Sequence, residues 1–195
     1  MSATEAILRK VGESIEVKRQ FFEKNATHIE AMCRAMAQRF LQGKKLFVMG
    51  NGGSACDALH IAVEFKHPII EKRRPLPAEA LMVDIATVSA ISNDVDFSRV
   101  FVNQLRLSAQ PGDIALAIST SGKSPNLIYA LEAARERGMM TIAFSGKDGG
   151  RLEAIAEYCL TVPSYSIHRI QEVHATLIHV MWDMIHVILG EEDVI

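Results

Sequence analysis

Residues 45–65 read KLFVMGNGGSACDALHIAVEF. Lys45–Gly50 is a continuous apolar run that ends in glycine, Gly50-Asn51-Gly52-Gly53-Ser54 is a glycine-rich turn, and Ala55–Phe65 has helical character. Strand, tight loop and helix in that order open a βαβ unit. Working outward, further short apolar runs fall at Glu79–Val83, Asp113–Ser119, Met140–Gly146 and Tyr158–Pro163. Helical stretches separate them, among them Val88–Ser92, Asn126–Gly138 and Arg151–Glu157. Five apolar strands alternating with helices predict an α/β fold, a parallel sheet covered by helices on both faces.

Two helices are expected before any strand. The first, about Thr4 to Glu23, carries Ile7, Val11, Ile15 and Phe22 at helical spacing. The second, about Ala26 to Gln42, turns Ile29, Met32, Met36, Phe40 and Leu41 inward, and Gly43 ends it. An apolar helical hairpin outside the repeating core seeks a partner, and self-association is the simplest. The closing segment, Ile167 to Leu189, is a helix apolar nearly all round, buried or shared between subunits. Its most apolar part, Ala175–Leu189, is broken by His179, Asp183 and His186 and is too short to span a bilayer. The chain reads as one domain over residues 1–195, with 1–43 as a helical extension for oligomerisation and 44–195 as the α/β core and C-terminal helix.

With 49% hydrophobic and 23% charged residues, the composition is that of a soluble globular protein. A net charge of −2 gives no general attraction to nucleic acid or an anionic membrane, so any anion must be bound locally. Three scattered cysteines do not make a disulfide framework and fit a reducing compartment. The N-terminus, MSATEAILRKVGESIEV, reads as an amphipathic helix without an apolar signal core. A cytoplasmic location is the expectation.

Ligands of parallel sheets bind outside the carboxyl ends of the strands. Two loops there open a helix: Gly50–Ser54, and Ser119-Thr120-Ser121-Gly122-Lys123-Ser124 before Pro125. Glycines turn backbone N–H groups toward a ligand, the helix N-terminus is positive, and the hydroxyls of Ser119–Ser124 add donors. A phosphate is the natural guest. Gly122-Lys123-Ser124 resembles the end of a Walker A loop, but Ala117 stands where that pattern needs glycine. Gly50–Ala55 fits G-x-G-x-x-A, which alone is a weak sign of a dinucleotide, and an ordinary tight strand–helix turn is the plain alternative.

The helix after the first loop carries Asp57, His60 and Glu64, the last two on one face at i and i+4. The final helix carries Gln171, His174 and His179. If that helix crosses the carboxyl edge of the sheet, His60, Glu64, Gln171 and His179 converge beside the loops. A carboxylate and an imidazole suit the proton transfers that move a carbonyl between C1 and C2 of a sugar phosphate. Two histidines, a carboxylate and an amide oxygen equally suit a divalent metal. Two plain readings stand beside these, a solvated His–Glu helix pair and a hydrogen-bonded core histidine. His28, His67, His168, His174 and His186 take surface or packing roles by default.

Gly50–His60 resembles the first signature of the phosphoheptose isomerases, and Ala117–Gly122 the second; Gly146–Gly150 and Arg169–His174 resemble two more. Order and intervals agree over nearly the whole chain. The resemblance implies the SIS (sugar isomerase) fold, a three-layer sandwich with a five-stranded parallel sheet and an N-terminal helical extension. It implies a homotetramer with active sites at subunit interfaces and isomerisation of D-sedoheptulose 7-phosphate to D-glycero-D-manno-heptose 7-phosphate, toward bacterial surface polysaccharide. It also implies Glu64 and His179 as the acid–base pair, and His60, Glu64, Gln171 and His179 as zinc ligands. Asn51, Gly52, Gly53, Ser54, Asn93, Asp94, Ser119, Thr120, Ser121, Ser124 and Gln171 match substrate-binding positions. The rim departs from the pattern: Lys66-His67-Pro68 where some members have an arginine, Lys123 where asparagine is common, and His168 where some have aspartate. Another ketose phosphate is therefore an alternative substrate. A second alternative is a non-catalytic tetrameric SIS adaptor of a replication initiator, whose group lacks the helix glutamate that this chain has as Glu64. No basic recognition face on the N-terminal helices points to nucleic acid.

Overall fold

The structure, a computed structural model, describes residues 1–69 and 73–193. Five strands form one all-parallel sheet: β1 (Leu46–Gly50), β2 (Ala78–Ala80), β3 (Ile114–Ile118), β4 (Met140–Gly146) and β5 (Tyr158–Val162), in the order β2-β1-β3-β4-β5. β1 and β3 pair from Leu46↔Ile114 to Gly50↔Ile118. From β1 the chain winds to one side, to β2, and then returns past β1 to build β3, β4 and β5 on the other. Such a reversal leaves a crevice at the carboxyl ends of β1 and β3. The two glycine- and serine-rich loops leave the sheet there.

Strand residues alternate between two cores. Leu46, Val48, Ile114, Leu116, Ile118, Ile142 and Phe144 join the core formed with α1 (Ala3–Leu41), α2 (Gly53–Lys66) and α7 (Ile167–Ile188). Phe47, Met49, Ala115, Ala117 and Ala143 join the other, formed with α4 (Val100–Ser108), α5 (Pro125–Glu136) and α6 (Gly150–Ile155); α3 (Ile85–Asp94) packs at its edge through Val88 and Ile91. Helices on both faces of the sheet give the three expected layers.

The N-terminal region differs from the expected hairpin. α1 is one uninterrupted helix of 39 residues, about 58 Å long. No glycine or proline breaks the predicted junction at residues 24–26, and Asn25 donates to the Phe21 carbonyl within the helix, so the turn that would separate two helices never forms. Ser2 and Glu5 cap its start reciprocally. Its second half is buried at Phe21, Ile29, Met32, Met36 and Phe40, whereas Ile7, Val11, Ile15 and the predicted inward Leu41 are exposed. Two more expectations shift. β2 is three residues long, not the five of Glu79–Val83. The unread stretch after α3 holds a 3-10 turn (Phe97–Arg99) and α4, which buries Val100, Phe101, Val102 and Leu105. No helix among the described residues is long and apolar enough to cross a membrane.

The last helix is tied to the sheet by His174. Its fully buried Nε2 lies 3.1 Å from the Ser145 carbonyl at the end of β4, so Nε2 carries the proton and donates. Nδ1 has no hydrogen-bond partner among the described residues. Burial pushes the imidazole from 6.5 down to about 4. Between those values the unfolded chain takes up a proton that the folded chain refuses, so folding stability falls as the pH falls from 6.5 to about 4. The loss is on the order of 3 kcal/mol. Denaturant unfolding of the parent and of His174→Gln across this window should show a shallower acid loss in the variant. Equal slopes would exclude His174 as its source.

Candidate active site

The first loop is a tight fold-back. A Cβ on Gly50 would lie 2.2 Å from the Ser54 carbonyl oxygen, so only glycine lets β1 pass directly into α2. Ser54 N–H donates to the Asn51 carbonyl at 3.0 Å, and Ser54 is buried. Gly53 begins α2 with no side chain because the Gln171 amide occupies that space: a Cβ there would lie 2.4 Å from Gln171 Nε2.

The second loop is a nest of hydroxyls. Ser119 Oγ accepts from Gly122 N–H at 3.1 Å and lies 3.5 Å from the hydroxyls of both Ser121 and Ser124. Ser121 Oγ accepts from Lys123 N–H. Thr120 is half-buried at the turn. Pro125 starts α5, where a missing N–H costs nothing. The segment after β4 buttresses this loop: Gly122 has φ +63, and a Cβ on it would lie 1.9 Å from the Gly149 carbonyl oxygen, itself held by Ser145 Oγ at 3.0 Å. Lys123 Nζ is paired with Asp148 at 2.9 Å across the two loops, both side chains exposed.

Between the loops lies a cleft of about 430 Å³ lined by Asn51, Asp96, Phe97, Ser98, Ser124, Pro125 and Asn126. Asn51 and the buried Asn126 exchange amide hydrogen bonds at 3.0 and 2.8 Å, joining the first loop to the start of α5. Asn93 and Asp94 end α3 bonded to each other and are absent from the cleft lining; Asp96, Phe97 and Ser98 take that place. Sequence reasoning missed these three and Asn126. The available signal was weak, an Asp-x-Ser turn in which Asp96 accepts from Ser98 N–H.

His60, Glu64 and His179 form a second cluster. His60 Nε2 lies 3.2 Å from Glu64 Oε1 and 3.2 Å from His179 Nε2, and one ligand atom from each of the three lies within 4.8 Å of the others. His179 comes from α7, 119 residues along the chain from His60. These donors fit a metal: ligands each about 2.0–2.1 Å from a tetrahedral zinc lie roughly 3.3 Å apart. Gln171, on α7, lies away from this cluster: its amide packs against Gly53 at the start of α2, about two helical turns from His60. Asp57, one turn before His60, is pushed by burial up to about 6 against the pull of His60, and its Oδ2 has no hydrogen-bond partner among the described residues. His168 is exposed at the start of α7 and Pro68 half-buried just after α2.

The sheet carries two glycine- and serine-rich loops at its switch point and a His–Glu–His cluster on α2 and α7, and residues 11–146 match the SIS domain family. A phosphoheptose isomerase of Thermodesulfovibrio yellowstonii is 42% identical over 191 residues, covering 98% of this chain and 95% of that one. The solved phosphoheptose isomerase of Francisella tularensis superposes with a TM-score of 0.91 at 34% identity, over 95% of this chain and 99% of that one. The one from Neisseria gonorrhoeae gives 0.88 at 37%, over 94% and 98%. The chain belongs to the phosphoheptose isomerase family and is an isomerase.

Gly122→Ala should cost at least about 2 kcal/mol, combining the left-handed penalty with the overlap on Gly149. Inorganic phosphate should raise the melting temperature of the parent and lose that effect in the variant. Undiminished protection by phosphate in Gly122→Ala would show that this loop does not hold the anion.

Proposed function

We propose that the chain is a phosphosugar isomerase that converts D-sedoheptulose 7-phosphate to D-glycero-D-manno-heptose 7-phosphate. The observation that carries this reading is the His60–Glu64–His179 cluster on the helices that adjoin two anion loops. The printed names of the relatives supply the heptose phosphate.

In this reading Ser54, Ser119, Thr120, Ser121 and Ser124, with the N-termini of α2 and α5, hold the phosphate. Asn51, Gly52, Gly53 and Gln171 orient the sugar. Glu64 and His179 form the acid–base pair. A proton leaves C1 of the ketose, the electron pair enters a C1–C2 enediolate, and a proton delivered to C2, with transfer of the hydroxyl proton from O1 to O2, leaves the carbonyl at C1. His60, Glu64 and His179 would hold Zn2+, which when bound would polarise the substrate carbonyl.

Oligomerisation belongs to the same proposal. Ile7, Leu8, Val11 and Ile15 are exposed on α1, and an apolar groove of about 370 Å³ between α1 and α7 is lined by Phe22, Ile29, Val180, Met184 and Ile188. A homotetramer that covers these faces, with active sites at subunit interfaces and a cytoplasmic location, fits the reading.

The test is a panel of ketose phosphates assayed with and without a chelator. Sedoheptulose 7-phosphate should turn over fastest, chelation should abolish turnover, and Zn2+ should restore it. Faster turnover of another ketose phosphate would reassign the substrate. Undiminished activity in a metal-free preparation would reduce His60 to a positioning role. Glu64→Gln should lower kcat by about 10²–10⁴-fold with the oligomer intact; full activity would remove Glu64 from the chemistry.

A further inference from the structure

Helix α2 ends at Lys66, and its last carbonyls need donors from outside the helix. Val63 is served by His67 N–H at 2.8 Å and Phe65 by Leu76 N–H at 2.8 Å. In a continuing helix the Glu64 carbonyl would accept from residue 68. Residue 68 is proline, which has no N–H. The missing donor comes from the other helix: Trp182 Nε1–H donates to the Glu64 carbonyl at 2.9 Å.

Trp182 is 4% exposed and sits on α7 one turn after His179. The Arg73 guanidinium lies over the indole, 4.5 Å from the ring centroid, and is itself bonded to Asp183. One hydrogen bond therefore joins the backbone of Glu64 to the helix that carries His179, beside the point where their side chains meet. We infer that Trp182 is a positioning residue for the Glu64–His179 pair, replacing through its indole N–H the backbone donor that Pro68 removes. The functional consequence rests on the isomerase reading; the geometric one does not.

The test is a two-by-two set of parent, Trp182→Phe, Pro68→Ala and the double variant, with folding checked by circular dichroism. Pro68→Ala supplies a backbone N–H at position 68. Trp182→Phe in the parent background should lower kcat by about ten- to hundredfold, with KM changed less than about twofold. In the Pro68→Ala background His67, now at φ −137 and ψ 75, is freed to take helical angles that bring the residue 68 N–H to the Glu64 carbonyl, so the same substitution should cost less than about threefold. An equal loss in both backgrounds, or an unchanged kcat in Trp182→Phe, overturns the inference.

Two readouts do not depend on turnover. The imidazole NMR resonances of His60 and His179 should move in Trp182→Phe and return toward their parent positions in the double variant. Trp182 is also the single tryptophan of the chain, so the indole N–H Raman mode reports this bond alone. A mode typical of a free indole overturns the inference even where Trp182→Phe fails to fold. If the parent turns over no ketose phosphate while the Raman and NMR signatures hold, the isomerase reading falls and the positioning role of Trp182 stands.

Discussion

Helices α2 and α7 run side by side, in the same direction and in step, on one face of the sheet. Gln171 meets Gly53, His179 meets His60, and Trp182 meets Glu64. From Gly53 to Glu64 and from Gln171 to Trp182 each helix advances by eleven residues, about 16 Å. Each residue step turns a helix by about 100°, so a slip of one residue in either helix would separate all three pairs. The register is held by buried apolar side chains: Ala58, Ile61, Ala62 and Phe65 from α2, and Val173, Leu177, Ile178 and Met181 from α7, in one core with the sheet. His174 then pins α7 to β4 through the Ser145 carbonyl. The polar cluster is thus placed by packing that is almost entirely apolar.

The sheet imposes the second constraint. Because β1 and β3 are neighbours and their connections diverge, the Gly50–Ser54 and Ser119–Ser124 loops emerge side by side with the N-termini of α2 and α5 behind them. Any attraction for an anion must be local, since the chain as a whole is slightly negative. Neither loop is self-supporting. The first needs glycine where the chain doubles back on Ser54, and the second rests on Gly149 through a left-handed Gly122. The Asn51–Asn126 amide pair ties the two together from within. Lys123 is engaged by Asp148 at the mouth.

Much of this was legible in the sequence because the signals were local. Short apolar runs marked the strands, three of them ending in glycine or serine, and the two loops after β1 and β3 were identified from composition alone. The i, i+4 spacing put His60 and Glu64 on one face of a helix without any structure. The errors were local as well. Residues 24–26 lack any breaker, and two predicted helices are one; Leu41 lies beyond the last inward turn and is exposed. Asp96–Ser98 and Asn126 sit in stretches with no distinctive pattern, so their place in the cleft was invisible.

By itself the sequence determined the alternation of strands and helices after residue 44, the two glycine- and serine-rich loops and the helix that carries His60 and Glu64, since each depends on residues within a few positions of one another. Only the tertiary structure decided the strand order, the meeting of His179 with His60, the separation of Gln171 from that pair and the capping of Glu64 by Trp182. Each of these joins residues more than one hundred positions apart or depends on how several helices share one sheet face, and hydrophobic packing carries no label in the sequence that says which partner it will choose.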